Sequence, residues 1–569
     1  MANPPGVPFS GQVPVSEELP PRAYSLTVNS AGVFLAAIAI QFIGFIGSLV
    51  LYKYVGITAS LQALLGLVQL FLGIGSAINS LGDLGLGGGY RFFIARGKSA
   101  TDNTGTYLLI RLLVCGLAAA LMLTIAPISF AGATLASNGP ELIALGLFLL
   151  LPLIWTGEQI YQSYYIGVGN SVKAQYPYLV EVLVRTPLII VAAFLSPTLF
   201  GLTMAYFVGA IASAIYCLPF LRAFVRRYKK SEAVLLLKFS WPLLGALGLS
   251  YVASNAMPFV VNATLGLQAV NNFLVANGFR VLVLALPAAV AAPLFPHLAK
   301  LHKREQYEAI REGTWQAIRY TSMLVVPAVL ALVIYRVNVL NILTNSLYAQ
   351  TAAVPLAILV ASTIPAAITG LIAAGLSAIG WRRLELYLTA FQVLAMFAIA
   401  FALLPPYGVL PSSDGLIAAS LAVLASSVAA FIWNAIAMHR LMDVQIHPKA
   451  IGMIALSALL AFVAVSRLNS VLAISRYYEL AVGVILGFAV YFVVLALVGE
   501  LTKEDVLRVG RSIGLPNRLL GLLSRMCWRP LTPRLEPVRP GRGLGFTSGD
   551  IPEMEREEEV ASEGGPPLP

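Results

Sequence analysis

The sequence predicts an all-α polytopic membrane protein with about 14 transmembrane helices. Three observations predict it. Of 569 residues, 58% are hydrophobic and 11% charged, and mean hydropathy is +0.83; a soluble domain carries about 25% charged residues. Apolar runs of about 20 residues recur along the chain. Lys and Arg gather in alternate loops between those runs. So apolar a chain cannot cover a water-facing surface, which excludes a soluble globular enzyme. Its charge is too low for a disordered chain, and no heptad or Gly-x-y period runs through it.

The runs fall at 27–52, 61–86, 106–131, 141–166, 176–196, 199–224, 240–263, 270–298, 315–343, 352–378, 384–405, 415–438, 449–467 and 477–499. With the N-terminus inside, the even-numbered loops hold nineteen basic residues, among them Arg91, Lys173, Arg226, Lys303 and Arg440. The odd-numbered loops hold four: Lys53, Arg336, Arg467 and Arg476. This positive-inside bias predicts a multi-pass protein of the plasma (cell) membrane with both termini cytoplasmic. The loops are short, so no soluble catalytic domain fits between helices. The net charge of +11 sits beside the spans, and no nucleic-acid partner is expected.

The chain accordingly divides into a flexible cytoplasmic arm at 1–25, an N-lobe of helices 1–6 at 26–224, and a cytoplasmic linker at 225–239. A C-lobe of helices 7–12 follows at 240–441, then helices 13 and 14 at 442–499, then a cytoplasmic segment at 500–569. The arm lacks the charged-apolar-small order of a cleavable leader. Residues 501–528 mix apolar residues with Arg508, Arg511, Arg518 and Arg525. That pattern reads either as a basic amphipathic segment on the anionic leaflet or as a partly ordered tail. Residues 551–569 are acidic and rich in Pro and Gly, and read as disordered. YRFFIARGK with TYLLIRLL in helices 2 and 3 echoes LFPHLAKLHK with TWQAIRYT in helices 8 and 9. An offset of six helices is even, so the repeat would be parallel, about an axis along the membrane normal.

Familiar catalytic and metal motifs are missing. ARGKS at 95–99 has Phe92 where a P-loop needs its first glycine, and GLGGGY at 85–90 ends in Tyr90 where a dinucleotide fingerprint needs glycine. Cysteines number three (Cys115, Cys217 and Cys527) and imply neither a disulfide framework nor a metal cluster. No cofactor and no metal are expected. What remains is charge at membrane depth, which costs at least ~2.5 kcal/mol per group and therefore faces a cavity or a partner. The candidates are Asp83, Arg91, Arg111, Glu158, Glu181, Arg185 and Arg280, with Asn255 and Asn262 adding amides. Glu181 and Arg185 are spaced i, i+4 and can pair within one helix. Arg91 and Arg111 can either face a cavity or snorkel to headgroups. Glu158 lies among Gln159, Tyr161, Gln162, Tyr164 and Tyr165, as a cavity wall would. Arg280 follows Asn271, Asn272 and Asn277 on one helix, which reads as a cavity-facing cation. Pro242, Pro258, Pro287, Pro293, Pro327, Pro355 and Pro365 fall within or at the ends of spans and permit bending.

Four stretches carry a resemblance to a known family. They are INSLGDLGLGGGYRFFIARG closing helix 2, the basic loop 226–238 followed by FSWPLLGALGLSYV, NNFLVANGFRVLVLALPAAVAAPLFPHLAKL in helix 8, and GELTKEDVLRV after the last helix. Over about residues 25–510 the chain resembles the polysaccharide-biosynthesis flippases of lipid-linked oligosaccharides, in the MATE-like multidrug/oligosaccharidyl-lipid/polysaccharide exporter superfamily. It departs from them in its long C-terminal tail and in Gly87–Gly89. The resemblance implies two six-helix lobes around a central cavity with two further helices, alternating access, and transport without enzymatic chemistry. It implies a polyprenyl-(pyro)phosphate-linked glycan as substrate, moved from the cytoplasmic to the outer leaflet for cell-envelope polysaccharide biosynthesis. On this reading Arg280, then Arg91 and Arg111, hold the lipid phosphate with bidentate donors, while Glu158 and Asn255 meet the glycan. Asp83, Glu181 and Arg185 orient those arginines or couple transport to protons or sodium. Membrane lipids and glycan-assembly enzymes are the expected partners of a monomer. The competing readings are a peptidoglycan-precursor flippase, a multidrug or cation antiporter of the same fold, which wants a cavity dominated by carboxylates where cations here outnumber them, and a membrane glycosyltransferase or polymerase. The latter needs catalytic carboxylates in a sizeable outward loop, and the outward loops offer little beyond Asp414 and Glu141.

Overall fold

The computed structural model describes residues 26–502 and Asp505, apart from 84, 96–99, 127–135, 137, 196, 226–232, 235, 238–247, 250, 253–254, 304–305, 379–381, 406–407, 443, 445–446 and 473–476. Among the described residues every long element is a helix. The N-terminal half holds α1 (Leu26–Val50), which continues through a π-helical turn at Leu51–Val55, then α2 (Ala59–Asp83), α3 (Leu86–Ala95), α4 (Ala100–Ile125), α5 (Gly139–Gly167), α6 (Tyr176–Leu195) and α7 (Leu199–Phe224). The C-terminal half holds α8 (Met257–Leu265), α9 (Leu267–Lys303), α10 (Tyr307–Ile334), α11 (Arg336–Leu343), α12 (Ser346–Thr351), α13 (Ala353–Ala361), α14 (Thr363–Ala378), α15 (Arg382–Leu403) and α16 (Gly415–Met442). Two last helices, α17 (Pro448–Leu472) and α18 (Tyr477–Val498), pack together and against α10. Twelve described helical segments are long and apolar enough to cross a bilayer, and Ala39–Val55 adds a shorter apolar one. The expected span at 240–263 lies partly outside the described residues, as do the linker at 225–239 and nearly all of 500–569.

Local chemistry explains where helices break. Gly85 (φ 72°) separates α2 from α3, and Gly266 (φ 84°) separates α8 from α9; both lie in the left-handed region that glycine enters without penalty. Asn138 starts α5 by accepting from the Glu141 amide at 3.0 Å, and its own amide donates back to Glu141 Oε1 at 3.0 Å, which satisfies donors at a helix start. Pro152 lies inside α5 and supplies no N–H for the Phe148 carbonyl one turn earlier. Gly75 of α2 lies against that carbonyl: a Cβ at 75 would stand 2.8 Å from Phe148 O. The missing side chain lets α2 come close to α5 beside Pro152.

The apolar packing is unevenly shared. One large core takes Phe71, Phe148 and Tyr206 from the N-terminal half together with Phe273, Phe279 and Val325 from the C-terminal half. At the other end the halves have separate cores. Leu86, Tyr90, Tyr107, Ile160 and Phe220 pack in one, and Leu294, Leu298, Ile310, Ile372 and Met438 in the other. A further cluster joins α10 to α17 and α18 through Met323, Ile454, Ala458, Tyr491 and Leu495.

After α18 the chain is tied back to α10. Arg319 bridges to Asp505 at 3.1 Å and to Glu500 at 3.6 Å, and it also donates to the Glu500 carbonyl. Tyr320 donates its hydroxyl to Asp505 Oδ1 at 2.6 Å. Thr502 and Asp505 cap each other: the Thr502 amide donates to the carboxylate at 3.0 Å and the Asp505 amide to Thr502 Oγ1 at 3.2 Å. Burial alone would raise the Asp505 pKa, but the hydrogen bonds from Tyr320 and Thr502 and the charge of Arg319 outweigh it and hold the carboxyl below its ordinary value. A depressed folded pKa contributes stability that is present above the unfolded value of about 3.9 and is lost as pH falls through the folded one. The Arg319–Asp505 pair is therefore expected to hold from pH 7 to pH 5, whereas burial raises the Glu500 carboxyl above its ordinary value, so the Glu500 side of the contact weakens first as pH falls. Arg319→Ala should speed hydrogen exchange at residues 500–505 about ten-fold, as losing about 1.4 kcal/mol would; unchanged exchange would show that the ion pair contributes nothing there.

Candidate functional site

A cavity of about 470 Å³ opens between the N-terminal half and one face of α9. Its walls follow from helical periodicity. Gln69, Leu72, Ser76 and Asn79 line it from α2, and Tyr178, Glu181, Val182, Arg185 and Ile189 from α6. Both sets recur at three- and four-residue steps, so each is one stripe of a helix. Trp155, Glu158 and Gln159 face it from α5, Tyr206 from α7, and Leu274, Asn277, Gly278 and Val281 from α9. Gln41 and Ser48 face it from α1. Polar side chains on six helices thus converge at membrane depth, where they are costly unless they meet water, a partner or a ligand.

The charged groups in this wall form a short network. Arg185 Nη1 bonds Glu181 Oε1 at 2.6 Å within α6, and the Trp155 indole donates to Glu181 Oε2 at 3.1 Å. The Arg185 guanidinium also lies 5.2 Å from the Tyr206 ring centroid. Glu158 is 1% exposed. Its Oε2 accepts from the Ser213 hydroxyl at 2.7 Å, while Oε1 makes no well-formed hydrogen bond among the described residues. Gln159 Nε2 donates to the Tyr178 hydroxyl at 2.7 Å.

A second network stands behind the wall. Arg111 of α4 is fully buried. It pairs with Asp83 at 2.6 Å and donates Nη2 to Asn79 Oδ1 at 2.5 Å and to the Asn79 carbonyl at 3.0 Å. Asp83 also accepts from the Tyr107 hydroxyl at 2.5 Å and from the Gly87 amide at 3.3 Å. These bonds hold the break between α2 and α3 against α4, and they fix Asn79, which reaches the cavity.

The other sequence candidates lie elsewhere. Arg280 donates Nε to Ser362 Oγ at 3.0 Å, at the junction of α13 and α14, and Nη1 to Asn277 Oδ1 at 3.2 Å; it touches the cavity wall through Asn277. Arg91 of α3 bonds Ser163 Oγ at 3.4 Å. Asn255 donates to the Tyr251 carbonyl at 3.1 Å and is not part of the cavity lining. The structure thus gathers Glu158, Glu181 and Arg185 at one surface, sets Asp83 and Arg111 behind it, and leaves Arg280 across the α9 wall. Sequence reading passed over Gln69, Ser76 and Asn79, although their spacing on an apolar helix is a legible polar stripe. It also passed over Trp155 and Tyr178. Among the described residues no group of three or more His, Cys, Asp or Glu side chains is arranged to hold a metal.

Hydrogen bonds joining the halves cluster toward the end that shares the large core. Gln268 Nε2 donates to Gln62 Oε1 at 3.2 Å, Asn271 Nδ2 to the Tyr348 hydroxyl at 2.7 Å, and Lys53 Nζ to the Ile342 carbonyl at 2.9 Å. Asn345 Nδ2 donates to the carbonyls of Tyr52 at 2.9 Å and Gly56 at 3.1 Å. Gly66 meets the backbone of α9 so closely that a Cβ there would lie 2.2 Å from Leu267 O.

The sequence model of the polysaccharide biosynthesis protein family matches residues 65–353, more than half the chain. The chain belongs to this family. No curated protein matches it. The family member shares its fold with solved transporters. A structure described as "Lipid II flippase MurJ, inward closed conformation" matches with TM-score 0.63 and 14% identity over 83% of this chain and 98% of that one. An inward-facing multidrug resistance MATE family transporter of the MOP superfamily matches with TM-score 0.58 and 15% identity, over 72% and 99%. A MOP superfamily transporter from Pyrococcus furiosus, described as having a binding pocket of reversed polarity, matches with TM-score 0.55 and 14% identity, over 74% and 97%. This polysaccharide biosynthesis protein is a multi-pass membrane protein with a transporter fold.

Proposed function

We propose that this protein flips a polyprenyl-(pyro)phosphate-linked oligosaccharide from the cytoplasmic to the outer leaflet of the plasma membrane by alternating access. One observation carries the reading: the two halves share a core and a set of hydrogen bonds at one end, keep separate cores at the other, and hold a polar cavity between. Rocking the halves about the middle would close one entrance and open the other. The separate cores lie at the end with Arg91, Lys173, Arg222, Arg311 and Arg440, which the positive-inside rule assigns to the cytoplasm. The conformation is then inward-facing, and the glycan enters from the side where it is built.

In this scheme the lipid chain stays in the bilayer and only the head crosses. Arg280 is the first candidate for the phosphate, since guanidinium donors match its oxygens and Asn277 links this residue to the cavity. Arg111 acts differently: its Nη1 and Nη2 donors are spent on Asp83 and Asn79, so it positions the wall. The test is reconstitution in vesicles with a fluorescent polyprenyl-linked sugar, following leaflet transfer with and without a proton or sodium gradient. Wild-type protein should transfer it, and Arg280→Ala should abolish transfer at normal abundance. Wild-type rates in that variant would remove Arg280 from the site. A cation antiporter is the second reading, supported by two carboxylates against one guanidinium in the cavity wall. Export of a cationic dye without transfer of lipid-linked sugar would favour it.

A further inference from the structure

We infer that the cavity between α2, α5, α6 and α9 is a subsite for an uncharged sugar rich in N–H and O–H donors, such as an N-acetylated hexosamine, and that it rejects sugars bearing a carboxylate. The inference rests on the flippase reading for the identity of the ligand as a glycan head. Its selectivity comes from the wall itself.

The first observation is a buried acceptor with capacity to spare. Glu158 Oε1 is buried and makes no well-formed hydrogen bond among the described residues, although the residue lines the cavity; the Tyr178 hydroxyl is the cavity group that interacts with this carboxyl, and a carboxyl oxygen can accept a second donor beside it. A buried oxygen left unpaired is costly, and a ligand donor beside it removes that cost. An acetamido N–H or a ring hydroxyl supplies such a donor. The second observation is the state of Arg185, the one cation in the lining among the described residues. Arg185 is tied to Glu181 at 2.6 Å, and the second Glu181 oxygen is already taken by Trp155. Arg91, Arg111 and Arg280 are not part of the lining; Arg111 and Arg280 reach it only by donating to the side chains of Asn79 and Asn277, and their charges stay behind the wall. A uronic acid entering here would therefore bring a carboxylate to a buried wall in which the one guanidinium among the described residues is neutralised, beside two acidic side chains. Burying a charge without a partner is strongly unfavourable. The third observation is fit. About 470 Å³ lies within the roughly 300–1,000 Å³ of small-molecule sites. Trp155, Tyr178 and Tyr206 offer the apolar faces on which a pyranose packs, and the amides of Gln69, Asn79, Gln159 and Asn277 add uncharged polar groups, Asn79 and Asn277 with their oxygens already held by Arg111 and Arg280 and their NH2 groups left to donate.

The experiment compares two substrates with the same short polyprenyl diphosphate, one carrying N-acetylhexosamine and one a hexuronic acid, in vesicles containing the full chain. Wild-type protein should transfer the first at least ten times faster. Glu158→Gln keeps the shape and replaces an acceptor with a donor, so the ratio should fall at least three-fold, mainly through faster transfer of the uronic acid. Equal rates in wild type, or an unchanged ratio in Glu158→Gln, would overturn the inference. A second readout does not need transport: the thermal stability of purified protein with soluble N-acetylhexosaminyl diphosphate or hexuronyl diphosphate. Stabilisation by the first alone supports the subsite, and equal stabilisation by both refutes it. If neither lipid-linked sugar is transferred, the flippase reading fails, while this binding comparison still decides the selectivity of the cavity.

Discussion

Replacing Arg111 with Ala is expected to cost about 3–5 kcal/mol of stability, as removal of one partner from a buried ion pair does. Arg111 is fully buried, and Asp83, its partner at 2.6 Å, would keep its charge with only the Tyr107 hydroxyl and the Gly87 amide to answer it. Asn79 would lose the donor that fixes its side chain. Thermal unfolding of the purified protein should show a lower midpoint, and less protein should reach the membrane. Arg111→Met with Asp83→Asn should recover much of the loss, because the pair, once gone, leaves little charge to desolvate. A single variant as stable as wild type would mean that water reaches Asp83 and that the network is not structural.

Gly66→Val is expected to hold the two halves apart at the end where they now meet. The added Cβ would collide with the Leu267 carbonyl, which is backbone and cannot rotate away, and overpacking a tight contact costs about 1–3 kcal/mol or more. Gln62 and Gln268, bonded across the same seam, should then part. With a cysteine at 268, labelling by a membrane-impermeant maleimide from outside should rise at least ten-fold, and glycan transfer should fall to background. Unchanged labelling would show that α2 and α9 separate without strain, and labelling from the cytoplasmic side instead would reverse the proposed orientation.

Much of the architecture is legible in the chain because hydropathy and loop charge are one-dimensional signals. The Glu181–Arg185 pair is legible for the same reason: residues four apart on a helix are neighbours wherever the helix lies. Arg111 and Asp83 are not. They sit 28 positions apart on different helices, and nothing in either segment says which way its helix is turned. Arg280 shows both sides of this. Its relation to Asn277 follows from spacing within α9, while its bond to Ser362 depends on how α13 and α14 meet beside it. The cavity wall became readable only once helix rotation was known, although the Gln69–Ser76–Asn79 stripe already marked one face of α2.

The shared core between the halves bears on how little force is needed to part them. Lipid tails are as apolar as Leu and Phe, so oily surface uncovered toward the bilayer loses almost nothing by changing neighbours. The resistance to parting then falls on a few polar fastenings: the Asn345 amide, the Asn271–Tyr348 and Gln268–Gln62 pairs, and the Lys53 ammonium on a carbonyl. Membrane hydrogen bonds of this kind are worth about 0.6 kcal/mol each. A handful of them sums to no more than a modest ligand affinity, so the binding of one sugar head could tip the whole molecule from one face of the membrane to the other.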